Sequence, residues 1–200
     1  VLELAVKMPG SFAAIHPVLL RDRGKAVLVD AGGPGQLAAF HEAMERAGVP
    51  VGELDRIVLT HQDIDQFGNV PQLLRAADHP VEVLAHEADR PYIEGEKPLL
   101  KWNPETMAGL FAALPEERRQ EAAFLLTPPR IKVDKTLTDG QLLPHCGGMT
   151  VLHTPGHTPG HISLYLPRHK ILIAGDALTA SNGRLSGPNP HTTPDMATAR

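Results

Sequence analysis

The segment His61-Gln62-Asp63-Ile64-Asp65-Gln66 carries metal-ligating side chains at 61, 63 and 65, directly after the apolar run Arg56–Thr60. Alternate residues of an extended backbone share a face, so this spacing puts His61, Asp63 and Asp65 on one side at a strand end. Two neighbouring carboxylates repel, and each raises the other's pKa unless a cation lies between them. The triplet therefore reads as a metal site rather than a solvated turn. A second cluster, His153-Thr154-Pro155-Gly156-His157-Thr158-Pro159-Gly160-His161, presents His157 and His161 from a loop stiffened by two Pro-Gly turns, which suits preorganised imidazole ligands. In Gly175-Asp176-Ala177 a carboxylate ends the apolar run Lys170–Ala174, where burial requires it to be paired or metal-bound. Val29-Asp30-Ala31-Gly32 repeats that layout at an earlier run.

Groups so placed need strands behind them. Short aliphatic runs bounded by turn residues predict buried strands at Lys25–Val29, Arg56–Thr60, Val81–Ala85, Met149–His153, Ile162–Leu166 and Lys170–Ala174. Amphipathic spacing predicts helices near Gln36–Ala47, stopped by Gly48, and over Val70–Ala77, with Pro71 in the first turn. Residues 88–126 have helical periodicity and hold Tyr92, Trp102, Phe111 and Phe124. This inserted helical segment serves either as a substrate lid or as a packing or dimer contact, which leaves a homodimer open. Thr193-Pro194-Asp195 has the residue types of a helix start, cut short at Arg200, so the natural chain is expected to continue. His41 and His86 are expected at the surface, and Gly32-Gly33-Pro34-Gly35 as a tight turn. With 200 residues, 42% of them hydrophobic, the chain makes a single domain. A formal net charge of −4 and no Lys/Arg run speak against nucleic-acid binding. No apolar run approaches the ~20 residues of a membrane span. The single cysteine, Cys146, excludes an internal disulfide, reads as an inert thiol, and points to a reducing cytoplasm.

In chain order, Asp30, the His61–Gln66 segment, His157 within TPGHTPGH, and Asp176 resemble the metallo-β-lactamase superfamily over about residues 15–180. The resemblance implies an α+β, αββα four-layer sandwich over 1–200, lacking its C-terminal strand and helix segment, with a metal centre at one edge between two sheets. It implies a first site of His61, Asp63 and His157, a second site of Asp65 with Gln66 as a weak amide ligand, and Asp176 as the bridge. His161 and Asp30 would support these ligands from behind. The chain departs from the family's HxHxDH pattern at Asp63, which stands for the second His, and at Gln66, which stands for the last. His191 sits in a Gly/Pro/Asn-rich loop, so the last histidine ligand is expected beyond residue 200.

The implied cofactor is a divalent metal, zinc first, with manganese or iron as oxygen-tolerant alternatives. Three carboxylates (Asp63, Asp65, Asp176) and a hydroxide would neutralise two such ions and lower their Lewis acidity. The departures fall on the second site, so the first is expected to fill and the second to be weak. The implied activity is hydrolysis of a small-molecule ester, thioester or lactone by a metal-bound hydroxide that Asp65 orients as catalytic residue. Two other readings stand beside it. One is a mononuclear iron oxidoreductase acting on a sulfur compound through two histidines and a carboxylate. The other is a non-catalytic metal-binding or sensor protein of the same fold.

Overall fold

The computed structural model describes residues 1–8, 11–101, 108, 109, 112, 115, 116, 119, 127–181 and 183–199. The chain opens with an antiparallel hairpin of β1 (Leu4–Met8) and β2 (Ser11–Ile15). A five-stranded sheet follows, ordered β3 (Val18–Asp22), β4 (Lys25–Val29), β5 (Leu54–Val58), β6 (Glu82–His86) and β7 (Lys135–Leu137). Its β3–β4 pair is antiparallel and the other three pairs are parallel. The second sheet is antiparallel, with β8 (Leu142–Leu143), β9 (Met149–His153), β10 (Ile162–Leu166) and β11 (Ile171–Ile173) in the order β11-β10-β9-β8. A small hairpin, β12 (Thr179–Ser181) with β13 (Arg184–Ser186), comes last.

The apolar run of β4 shows why both faces of the first sheet are dry. Successive side chains of a strand point to opposite faces. Val27 and Val29 join Val58, Leu84 and Leu137 against Met149, Val151, Ile162, Leu164 and Leu166 of the second sheet. Ala26 and Leu28 join Leu54, Ile57 and Val83 on the other face, under Phe40 and Met44 of α1 (Leu37–Arg46) and Leu73 of α3 (Val70–Ala77). A short helix, α2 (Ile64–Phe67), precedes α3, and α4 (Arg90–Ile93) follows β6. α1 ends at Gly48, whose φ of +68° is the left-handed turn that glycine allows. Among the described residues no helix covers the outer face of the second sheet, where the cross-strand partners Tyr165 and Leu172 are exposed.

The predicted strands are all present, three of them with bounds shifted by one or two residues. The α1 and α3 helices lie where expected. The predicted inserted helical segment contributes α4; Trp102, Phe111 and Phe124 lie outside the described residues. Thr193-Pro194-Asp195 leads into a turn over residues 196–199 rather than a helix: the Asp195 carboxylate accepts from Thr198 N and Oγ1. His86 departs from its surface expectation. It ends β6, is buried, and stacks on His153 with ring centroids 4.1 Å apart, because two sheets converge on that strand end. Cys146 is half-buried, and burial pushes its thiol pKa up, which fits an inert thiol. Among the described residues no helix is long and apolar enough to cross a membrane.

Candidate metal centre

β4, β5 and β6 run parallel, so Asp30, His61 and Asp89 all emerge at one edge of the first sheet. The β9–β10 hairpin brings residues 154–161 to the same edge, where Ile162 N donates to Thr60 O (2.9 Å) and joins the two sheets. Ligand sites of open α/β sheets lie at such strand ends.

The backbone explains which residues meet. Asp63 is still extended (φ −70°, ψ 141°), but the next residues coil into α2. The chain bends over residues 60–62 and turns helical after Asp63, so the strand alternation does not extend to Asp65. One ligand atom each from His61, Asp63, His157 and Asp176 lies within 4.8 Å of the others. Asp65 is outside that group; it is exposed and accepts from Gln66 Nε2 at 3.3 Å. Gln66 is half-buried, with its carbonyl held by Ala31 N, and His191 is exposed in a turn.

The four atoms have the dimensions of a metal shell. Asp63 Oδ2 is 3.4 Å from His61 Nε2 and 3.1 Å from His157 Nε2; Asp176 Oδ2 is 3.2 Å from His157 Nε2 and 4.0 Å from His61 Nε2. Ligands about 2.1 Å from a tetrahedral zinc are roughly 3.4 Å from one another. His61 Nε2 is buried with no well-formed hydrogen bond among the described residues. A buried, unsatisfied ring nitrogen aimed at two carboxylates fits a divalent cation.

The candidate ligands His61, His157 and Asp176 have partners behind them. Asp30, in a left-handed conformation (φ +63°), accepts from Thr60 N (2.8 Å) and Thr60 Oγ1 (2.9 and 3.0 Å). The Thr60 hydroxyl proton is thereby used, so His61 Nδ1, 2.9 Å away, must donate to it and leave the Nε2 lone pair for the centre. His157 Nδ1 lies 3.2 Å from the buried Thr193 hydroxyl, which orients the ring with Nε2 toward the centre. His161 Nε2 accepts from Asp176 N (3.0 Å), so its Nδ1 donates to Thr154 Oγ1 (2.8 Å), and Thr154 in turn to Ser163 Oγ (3.1 Å). Gly175 must be glycine here: its φ is +51°, and a Cβ would come within 2.7 Å of His161 Nε2.

Asp89 locks both ligand loops together. Its Oδ2 accepts from Gln62 N (3.0 Å) and Thr158 Oγ1 (2.6 Å), and its Oδ1 from Gln62 Nε2 (3.0 Å) and Gly160 N (2.8 Å). Gln62 stands between His61 and Asp63, and residues 158–160 stand between His157 and His161. Lys101 Nζ touches the centre itself, 2.6 Å from Asp63 Oδ2 and 2.5 Å from His157 Nε2.

Protons and a cation compete for the same atoms. Burial opposes charge on His61, but contact with Asp63 and the charges of Asp176 and Asp30 outweigh it and raise the imidazole to about 9. His157 is raised by Asp176 and Asp63 against its own burial. Burial works to raise Asp63 and Asp176, yet their histidine partners hold Asp63 far below the usual range and Asp176 at about 2. Burial, then the charges of His61 and His157, push His161 down to about 3, so it stays a neutral acceptor. Asp30 is raised by burial to about 6.

Sequence reasoning named His61, Asp63, His157 and Asp176, and the two supports Asp30 and His161. It missed Thr60, Asp89, Lys101 and Thr193. Thr60 could have been suspected from its place before His61; the others come from segments whose approach no local pattern shows.

The chain matches the family model described as the metallo-beta-lactamase superfamily over residues 12–200. It is 33% identical to probable metallo-hydrolase YflN of Bacillus subtilis (strain 168), with 86% of this chain and 67% of that protein covered. It is 26% identical to probable metallo-hydrolase YqjP of the same organism, covering 90% and 58%. Among solved structures, a metallo-beta-lactamase family protein of Thermus thermophilus superposes with a TM-score of 0.67 at 25% identity, covering 94% of this chain and 60% of that one. A Cronobacter sakazakii metallo-beta-lactamase described by its HARLDQ motif superposes at 0.56 with 24% identity, covering 74% and 49%. The chain thus spans from about half to two thirds of the length of these relatives.

Proposed function

This chain belongs to the metallo-β-lactamase superfamily, and from that premise we propose that it is a metal-dependent hydrolase of small-molecule esters, thioesters or lactones. His61, Asp63, His157 and Asp176 are its metal ligands. The observation that carries the reading is the convergence of these four groups on one point, with His61 Nε2 buried and without a well-formed hydrogen bond among the described residues. A bound divalent ion supplies Lewis acidity toward a carbonyl oxygen and lowers the pKa of water.

The chain's own residues do the rest. Thr60 holds the His61 imidazole in the tautomer that offers Nε2, Thr193 orients the His157 ring, and Asp89 keeps the two loops in register. Asp65, exposed beside the cluster, is the group placed to hold or accept a proton from a nucleophile at the site. One ion per chain is the proposed loading, because Asp65 stands apart from the four ligands and Gln66 offers only an amide oxygen. The HARLDQ motif named for the Cronobacter protein has His, Asp and Gln where this chain has His61, Asp65 and Gln66, and Arg where it has Asp63. A motif ending in Gln thus occurs in a protein described as a metallo-beta-lactamase.

The test is turnover on a panel of esters, thioesters and lactones, with metal content measured on the same sample. Activity lost on chelation, restored by zinc and abolished in His157→Ala supports the reading. Hydrolysis indifferent to chelation overturns it. Iron with oxygen uptake on a thiol substrate would replace it by the oxidoreductase reading.

A further inference from the structure

Lys101 makes a contact that the hydrolase reading does not use. Its ammonium lies 2.6 Å from Asp63 Oδ2 and 2.5 Å from His157 Nε2, and among the described residues it is the one Lys or Arg paired with any of the four ligands. The placement is built in. Leu100 N donates to Gln62 Oε1 (3.0 Å) while Gln62 Nε2 donates to Asp89, so the root of the lysine is tied to the residue between His61 and Asp63. The side chain is less than one quarter exposed, at 23%.

A neutral imidazole has one lone pair on its unprotonated nitrogen. A neutral His157 with its proton on Nδ1, which faces Thr193 Oγ1, has that lone pair on Nε2 and can either accept from Lys101 or coordinate an ion, never both. Asp63 Oδ2 has further lone pairs, but the ammonium beside it occupies space and charge that a divalent ion would take. We propose that Lys101 is a tethered counter-cation that exchanges with the metal ion at Asp63 and His157, so that the lysine sets how tightly the centre holds its metal. The exchange is a displacement without covalent chemistry: the ion takes the two ligand atoms and the ammonium moves aside on its side chain. The inference rests on the proposed metal centre.

Zinc affinities of the wild-type chain, Lys101→Met and Lys101→Gln, measured by competition with a chromophoric chelator at fixed pH, test it. Both variants are expected to bind zinc at least tenfold more tightly than wild type. A second readout follows acetylation of the wild-type chain by acetic anhydride with mass spectrometry. Lys101 modification should rise severalfold on saturation with zinc, while the exposed Lys132 serves as an unchanging reference. Variants that bind zinc no tighter than wild type, or Lys101 labelling indifferent to zinc, overturn the exchange and leave the metal centre standing. No zinc binding by any of the three proteins overturns the metal centre and the exchange with it.

Discussion

Replacing Asp89 gives the sharpest test of how the two ligand loops are held. The carboxylate is fully buried and accepts four hydrogen bonds, two on each oxygen. Asp89→Asn turns one oxygen into an NH2 group. If that group replaces Oδ2, the Thr158 hydroxyl can rotate to accept from it, but Gln62 N cannot and is left facing a donor. One stranded buried N–H costs about 1–3 kcal/mol. Asp89→Ala removes every acceptor; Thr158 and the Gln62 amide can turn elsewhere, whereas the two backbone N–H groups cannot, which predicts a loss of about 3–5 kcal/mol. Because the stranded groups adjoin His61, Asp63, His157 and His161, zinc affinity of Asp89→Asn should fall by roughly 10- to 100-fold, as when other supports behind metal ligands are removed. Urea unfolding gives the first quantity, from midpoints at unchanged slope, and chelator competition the second. An Asp89→Asn protein with wild-type stability and wild-type zinc affinity would refute the reasoning.

Two further outcomes are expected. With chelator present, His61 is raised to about 9 and His157 is also raised, so the stability they contribute is full below the unfolded value near 6.5 and is lost as pH rises through about 9. Thermal midpoints of the chelated protein should therefore fall between pH 6.5 and 9, and the added stability from zinc should widen over the same range; a flat profile in chelator would contradict this. Gly175→Ala should destabilise the fold by about 1–3 kcal/mol, since the new Cβ meets His161 Nε2 in a left-handed backbone, and denaturant unfolding measures it.

Strand runs and loop chemistry were legible along the chain because they are local properties. The Val27/Val29 and Ala26/Leu28 alternation is written in β4, and the turn residues around His157 mark a loop whatever the rest of the fold does. The rule that extended backbone puts alternate residues on one side named the His61–Asp63 pair, although the chain bends over residues 60–62. Asp65 was misplaced by that rule. The switch to helical backbone after Asp63 depends on how α2 and α3 pack over the sheet, with Phe67 and Val70 buried in that core.

The residue types and spacing around His61, His157 and Asp176 were enough to read metal chemistry and the superfamily, because a ligand set is a matter of composition within short segments. They could not show that Asp89 would clamp two distant loops, one of them reached at Gly160, 71 positions further along the chain. Nor could they show that Lys101 would reach Asp63 and His157, which lie 38 and 56 positions away along the chain. Such contacts exist only once parallel strands and a crossing hairpin deliver their ends to one edge, and no local pattern records where an edge will close.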